Sequence, residues 1–197
     1  MELQGAIKEC LQLSTDCSKG PHGPIESWDV SAMTDMSQLL NHDAVPGADK
    51  FAGGISTWDV SSVTNMLRMF YSASSFNSDI SKWDVSRVIT MVDMFRSASS
   101  FNGDVYTWDV SKVATMSGMF SGASSFSQTL CGDEWIASRA DKYGMFDGSS
   151  GRICKTTSPN AFTASTAPTT TAMTKTTTSN RKITFTTTLA LPVAQTL

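Results

Sequence analysis

The sequence is poor in several residue types, and each shortage narrows the functions that it can serve. Only two histidines occur, His22 and His42, which leaves little material for histidine-based catalysis. Charged residues make up 17% of the chain, below the roughly 25% that is typical of soluble domains. The formal net charge of −3 excludes a strongly basic nucleic-acid-binding protein. No apolar run approaches the roughly 18 residues of a membrane span, so an integral membrane protein is not expected.

Acidic residues are absent from the C-terminal part of the chain. Residues 1–154 hold 18 acidic and 11 basic residues, whereas residues 155–197 hold four basic residues and no acidic one. Threonine dominates the second segment, which has no apolar periodicity and cannot bury enough surface to offset the entropy of ordering it. We therefore predict a disordered stalk or tail. Thr-rich sequence with proline is typical of an O-glycosylated stalk, and an unmodified linker is the alternative.

One four-residue word recurs through the rest of the chain. WDVS begins at spacings of 30, 25 and 25 residues, at Trp28, Trp58, Trp83 and Trp108. A fixed period in this range is typical of repeat proteins. Each unit carries the same apolar residues, and in the second unit Met66, Phe70 and Ala73 have the spacing of helical turns between short extended pieces. We therefore predict an α/β repeat solenoid of about four coils, built from short strands and short helices.

Four segments follow from this organisation. They are an N-terminal cap with a helix at 1–24, the repeat solenoid at 25–130, a C-terminal cap at 131–154, and the Thr-rich disordered stalk or tail at 155–197. Caps are expected because the end units of a stack must cover its apolar faces. In the C-terminal cap we predict a short helix over 133–142, with Trp135 in place of the regular tryptophan.

The aspartates of the WDVS words form a regular series, Asp29, Asp59, Asp84 and Asp109. Stacked carboxylates repel one another unless something offsets their charge, so we predict that each accepts backbone N–H bonds in an Asx-type turn. A shared line of calcium ions is the alternative, since carboxylate oxygens suit this cation. We predict neither a metal site nor a cofactor.

A second polar series is a candidate ligand-binding surface, made of Asn77, Asp79, Asn102 and Asp104. If the protein were a polysaccharide-acting enzyme, Asp79 and Asp104 would be its candidate carboxylates. They have no distinct neighbours that would separate their pKa values, so we predict no catalytic residues.

The cysteines occur only in the two predicted caps, as Cys10, Cys17, Cys131 and Cys154. Four cysteines allow three connectivities. The economical one joins Cys10 to Cys17 and Cys131 to Cys154, because each bridge then closes its own cap; four free thiols are the alternative. Paired cysteines imply an oxidising compartment. The first residues lack the apolar region of a signal peptide, which leaves the location open.

The repeat resembles that of a known family of surface proteins. The word W-D-V-S-x-V-T-x-M-x-x-M-F-x-x-A-S-S-F-N-x-D-I-S is similar to the repeat of BspA-like leucine-rich-repeat surface proteins. It matches their 25-residue lipoprotein-type variant, which is classed as a domain of unknown function, over about Pro24 to Leu130. The resemblance implies leucine-rich-repeat-like coils in a cell-surface or secreted protein that binds proteins or matrix. It offers no catalytic residues to carry over.

From the repeat and the Thr-rich segment together, we expect a non-enzymatic surface or secreted module for protein or matrix binding or adhesion. Its partner is expected to be a protein, a matrix component or a glycan, and not a nucleic acid. We expect an extracellular or cell-surface monomer without a transmembrane segment. A structural cell-wall or matrix scaffold that self-associates is the alternative, and a polysaccharide-acting enzyme is a remote one.

Overall fold

The computed structural model describes residues 3–155, 173–176 and 184–187. The chain divides into two compact units, Met1–Thr156 and Thr157–Leu197. In the first unit the helices and strands are α1 (Leu3–Leu11), two 3-10 helices (Ile25–Ser27 and Ala48–Lys50), β1 (Thr129–Leu130), α2 (Asp133–Ala137) and β2 (Arg152–Ile153). β1 and β2 pair in parallel, with Thr129 opposite Arg152 and Leu130 opposite Ile153.

In the compact unit Thr157–Leu197, β3 (Met173–Thr176) pairs antiparallel with β4 (Thr184–Thr187), with Met173 opposite Thr187. Most of the predicted disordered stalk or tail at 155–197 lies outside the described residues.

The predicted fold class, an α/β repeat solenoid with leucine-rich-repeat-like coils of short strands and helices, is wrong. Residues 28–128, all of which the structure describes, contain no α-helix and no β-strand. They form turns and extended loops, with the 3-10 helix Ala48–Lys50 as their only helical element. Single-residue parallel bridges join successive units, as Asp35–Asn65, Asn65–Thr90, Thr90–Thr115 and Thr115–Asp141.

Backbone hydrogen bonds between units explain why the expected helical turns do not form. An α-helix needs each N–H to bond the carbonyl four residues earlier in its own segment. Here alternate N–H groups bond the next unit instead, and that of Arg68 donates to the carbonyl of Val92 at 2.9 Å. Arg68 and Ser72 have φ of 53° and 55°, in the left-handed region, which an α-helix does not contain. The chain thus turns at every fourth residue and directs its donors toward the neighbouring unit.

The core is a set of stacked apolar columns, one copy of each side chain from each unit. The regular Met, Phe, Val and Trp positions are buried from the second WDVS word to the C-terminal segment. Ring centroids of successive units lie 5.3 Å apart for Phe70 and Phe95, and 5.6 Å apart for Phe95 and Phe120. Because the rings of successive units stack nearly parallel, the repeated sequence fills the core with copies of itself.

The buried tryptophans tie each unit to the preceding one. The indole N–H of Trp58 donates to the carbonyl of Ile25 at 2.9 Å, which satisfies the polar edge of an otherwise apolar side chain. The same bond recurs in Trp83, Trp108 and Trp135. Trp135 therefore takes the place of the regular tryptophan, as the sequence comparison predicts.

Pairing between units continues beyond Leu130 into the C-terminal segment. The α2 helix ends at Ala137 and does not reach residue 142 as the sequence predicted. The reason is that Asp141 bridges to Thr115, and its N–H donates to the carbonyl of Ala114 at 3.0 Å. Residues 141–148 thus repeat the turns of residues 115–122 beside them.

Candidate functional site

The four WDVS aspartates lie in identical turns. In each, one carboxylate oxygen accepts the N–H of the serine two residues later, at 3.0 Å. The pKa of all four carboxyls is lowered, chiefly by the hydrogen bond from that serine's hydroxyl and then by its backbone N–H. For Asp59, the charges of Asp29 and Asp84 act in the opposite direction and raise the pKa. The serines thus stabilise a row of neighbouring negative charges.

The second polar series also makes bonds within the protein. The side-chain oxygen of Asn77 accepts the N–H of Asn102 at 2.9 Å, and that of Asn102 accepts the N–H of Ser127 at 3.1 Å. Asp79 accepts both the N–H and the hydroxyl of Ser81, and the hydroxyl lowers its pKa most. Asp104 accepts the N–H of Tyr106 at 2.9 Å. The structure therefore places Asp79 and Asp104 in separate turns, and their part in ligand binding stays a prediction.

The cysteines form two disulfide bonds, one toward each end of the compact unit Met1–Thr156. Cys10 is joined to Cys17 and Cys131 to Cys154, each with a Cα–Cα distance of 4.9 Å. The first closes the segment after α1, and the second joins the residue after β1 to the residue after β2. Disulfides of this kind indicate an oxidising, extracellular environment.

An ion-pair cluster lies in the middle of the repeats, where the sequence analysis named no candidate. The Asp93 side chain is 10% exposed, and its two carboxylate oxygens accept bonds from Arg68 Nε at 3.2 Å and Arg96 Nη1 at 3.3 Å. Both arginine side chains remain about half exposed. The Arg68 guanidinium also lies over the ring of Tyr71, 5.3 Å from its centroid. Two guanidinium groups around one buried carboxylate leave a net positive charge at this position.

An open groove of about 390 Å³ begins at Asp93 and Arg96. Its floor includes Gly118 and Gly144, at φ of 64° and 61°. A Cβ atom on Gly118 would clash with the carboxylate of Asp93, and one on Gly144 would come within 3.0 Å of Asp147 Oδ2. The two glycines therefore leave room for the carboxylates, which lie against them, and Gly118 itself is buried.

The far end of the groove holds an aromatic ring and a second carboxylate. Tyr143 is 84% exposed, although its backbone N–H is held by Asp141 Oδ1 at 3.0 Å. Ser117 donates its hydroxyl proton to Asp141 Oδ2 at 2.8 Å, and this bond is the largest cause of the lowered pKa of Asp141. Asp147 is exposed and lines the groove. The ring of Tyr143 thus projects from a fixed backbone position.

The sequence does contain a signal for this site. Aligned on the bridges, the first left-handed residue of each turn segment has φ between 53° and 64° and is in turn Gln38, Arg68, Asp93, Gly118 and Gly144. The flanking residues repeat closely, whereas this position changes in charge and size from unit to unit. Opposite charges at Arg68 and Asp93, 25 residues apart, are the pattern that could have revealed the cluster.

Metal-ligand clusters and membrane-spanning helices are both absent from the described residues. Among the described residues, no group of three or more His, Cys, Asp or Glu side chains is arranged to hold a metal ion. The helices in that part of the chain are also too short or too polar to span a membrane.

The WDVS repeats of the sequence thus form turns over a buried apolar core, with one disulfide bond toward each end of residues 3–155. The chain belongs to the family described as Mycoplasma protein of unknown function, DUF285, which matches residues 8–135. This match covers both the repeats and the cluster at Asp93. Neither a curated protein nor a solved structure matches the chain.

Proposed function

We propose that this chain is a non-enzymatic binding or adhesion module that works at the cell surface or in the extracellular space. The observation that carries the proposal is the groove at Asp93, which is lined by the half-exposed Arg96 and the exposed Tyr143, with Arg68 beside it as the second partner of Asp93. Such a surface suits recognition of a polar ligand, because its charged groups are already held in position. The ligand class is a protein, a matrix component or a glycan.

The resemblance to BspA-like surface proteins supports an exposed location for the family member described here. The two disulfides favour the same compartment. The Thr-rich segment after residue 155 would serve as a spacer that holds the repeats away from the surface to which the protein is attached. In this arrangement the repeats bind and the segment gives them reach.

The surroundings of the two candidate carboxylates, Asp79 and Asp104, favour a binding function over polysaccharide cleavage. Asp79 and Asp104 each accept hydrogen bonds from their own turn, at Ser81 and Tyr106. A glycoside hydrolase requires one carboxyl with a raised pKa as its acid. Asp79 instead has a lowered pKa, because Ser81 stabilises its charged form.

Two measurements on the full chain test the proposal. An antibody against the repeats should label intact, unpermeabilised cells, and a purely cytosolic signal would contradict the location. The purified oxidised chain should bind members of an array of matrix proteins and glycans in the presence and absence of calcium.

Two outcomes would replace the proposal with its alternatives. Concentration-dependent oligomers in light scattering, without binding on the array, would favour a self-associating scaffold. Cleavage of an arrayed polysaccharide that is lost in Asp104→Asn would favour an enzyme.

A further inference from the structure

The Asp93 end of the groove is built to hold one anionic group. Arg68 donates one hydrogen bond to Asp93 through Nε, and Arg96 donates one through Nη1. A guanidinium carries five N–H donors, so each arginine retains donors that Asp93 does not use. Their half-exposed position makes these donors available to a carboxylate or sulfate, which arginine binds with paired, charge-assisted hydrogen bonds.

The other end of the groove is suited to hydroxyl groups and a flat ring. Asp147 is an exposed acceptor, and a carboxylate can accept hydrogen bonds from two neighbouring hydroxyls. Tyr143 supplies an exposed aromatic face beside it. A ligand that matches the groove therefore combines one anionic group with several hydroxyls.

We propose that the groove between Arg96 and Tyr143 binds an acidic saccharide. The carboxylate or sulfate of the sugar contacts Arg96, which lines the groove, and Arg68, which bonds the other oxygen of Asp93 beside it. The hydroxyls of the sugar donate to Asp147, and a neighbouring ring packs on Tyr143. The inference rests on the proposed binding function and names the ligand class of that function.

Charge argues for a saccharide over a polyanionic protein or nucleic acid. Residues 1–154 carry 18 acidic and 11 basic residues, so the repeats repel a dense negative charge. Asp147 at the far end of the groove would repel a second anion placed there. A sugar with one acidic group per ring and neutral hydroxyls meets both conditions.

The test is a titration of the full oxidised chain with small probes. Trigalacturonic acid carries one carboxylate per ring, a κ-carrageenan tetrasaccharide carries one sulfate on every second ring, maltotriose is neutral, and a triglutamate peptide is acidic without hydroxyls. Binding is followed by isothermal calorimetry at low and physiological salt. The acidic saccharides should bind, the neutral sugar should bind at least tenfold more weakly, and raising the salt should weaken the acidic probes.

Three variants assign the binding to the groove. Arg96→Gln and Tyr143→Ala should each weaken the acidic saccharide by about tenfold or more, since each removes one principal contact. Arg139→Gln is the matched control, because this exposed arginine lines a separate groove of about 480 Å³ beside α2 and its loss changes the net charge equally. Thermal unfolding of each variant establishes that it is folded, and Tyr143→Ala removes only an exposed ring.

Each outcome decides the inference. Preference for trigalacturonic acid or for the carrageenan tetrasaccharide identifies the acidic group, and either result supports the site. Equal binding of triglutamate, binding that survives both groove variants, or failure of all acidic saccharides overturns it. In the last two cases, labelling of intact cells and binding on the array still decide the proposed function separately.

Discussion

Stacking of phenylalanine rings should make the central positions of the repeats more sensitive to substitution than the terminal ones. Phe95 lies in the column of Phe70 and Phe120, Phe51 lies in the adjacent column of Phe76 and Phe101, and both side chains are fully buried. Phe51 lies toward the N-terminal end, with Phe76 at 6.1 Å as its one ring pair among the described residues. Phe95 has three rings within 6 Å, namely Phe70 at 5.3 Å, Phe101 at 3.9 Å and Phe120 at 5.6 Å.

The difference between two identical substitutions isolates the stacking contribution. Phe→Leu removes a ring of the same size from each buried site, so the loss of burial is similar in Phe51→Leu and Phe95→Leu. An aromatic pair contributes about 0.5–1.5 kcal/mol beyond its buried area. Phe95→Leu removes two more close ring pairs than Phe51→Leu does. Its free energy of unfolding should therefore fall by about 1–3 kcal/mol more.

Urea unfolding followed by tryptophan fluorescence measures this difference, because the indoles are buried in the same core. The slope of the unfolding free energy against urea should be the same in both variants, so that the midpoints compare stability directly. Equal destabilisation of the two variants would refute the reasoning. It would mean that the rings act through buried area alone and that their parallel stacking adds nothing.

Three further predictions concern the bridges, the turns and the glycines. Replacing Cys131 and Cys154 together with serine should reduce the free energy of unfolding by about 3.4 kcal/mol in non-reducing urea titrations. The same change at Cys10 and Cys17 should reduce it by about 2.5 kcal/mol, because these cysteines are 7 residues apart rather than 23 and close a shorter loop. The WDVS serines lower the pKa of their aspartates, so the contribution of these pairs to stability is full above the unfolded pKa and is lost as the pH falls through the folded pKa. Changing the four WDVS serines to alanine should therefore flatten the loss of stability between about pH 5 and pH 2. Gly122→Ala should reduce stability by about 1–2 kcal/mol, because φ is 71° and its Cβ would come within 3.3 Å of Ser97 Oγ, whereas Gly122→Asn should cost less in the same assay.

The sequence was sufficient to identify the buried residues of the repeats. The recurring Trp, Val, Met and Phe positions are buried because each unit presents the same apolar set to its neighbour. Trp135 follows the same logic, since its indole makes the bond that the regular tryptophans make. Burial was predictable because it depends on which residues recur, and recurrence is visible in a single sequence.

The local conformation was not predictable from the same pattern. Met66, Phe70 and Ala73 have the spacing of one face of a helix, yet the chain turns at Arg68 and Ser72 with positive φ. Turns at every fourth residue also bring these apolar side chains to one side, so the spacing does not distinguish the two structures. What decides between them is the neighbouring unit, whose carbonyls accept N–H groups that a helix would use internally. Arginine and serine, moreover, are not residue types that predict a left-handed backbone conformation.

The candidate site escaped prediction because the sequence analysis gave most weight to what repeats. A side chain that recurs in every unit is constrained by contacts that recur in every unit, and the WDVS aspartates are held in this way by their serines. The first left-handed position is not held by one bond that recurs in every unit, since Arg68 bonds Asp93 and Gly118 leaves room for the Asp93 carboxylate. It can therefore change from arginine to aspartate to glycine while the core beneath it stays the same. In a protein of this construction, recognition of a specific ligand depends on positions that differ between units, since identical units would offer the same surface at each step.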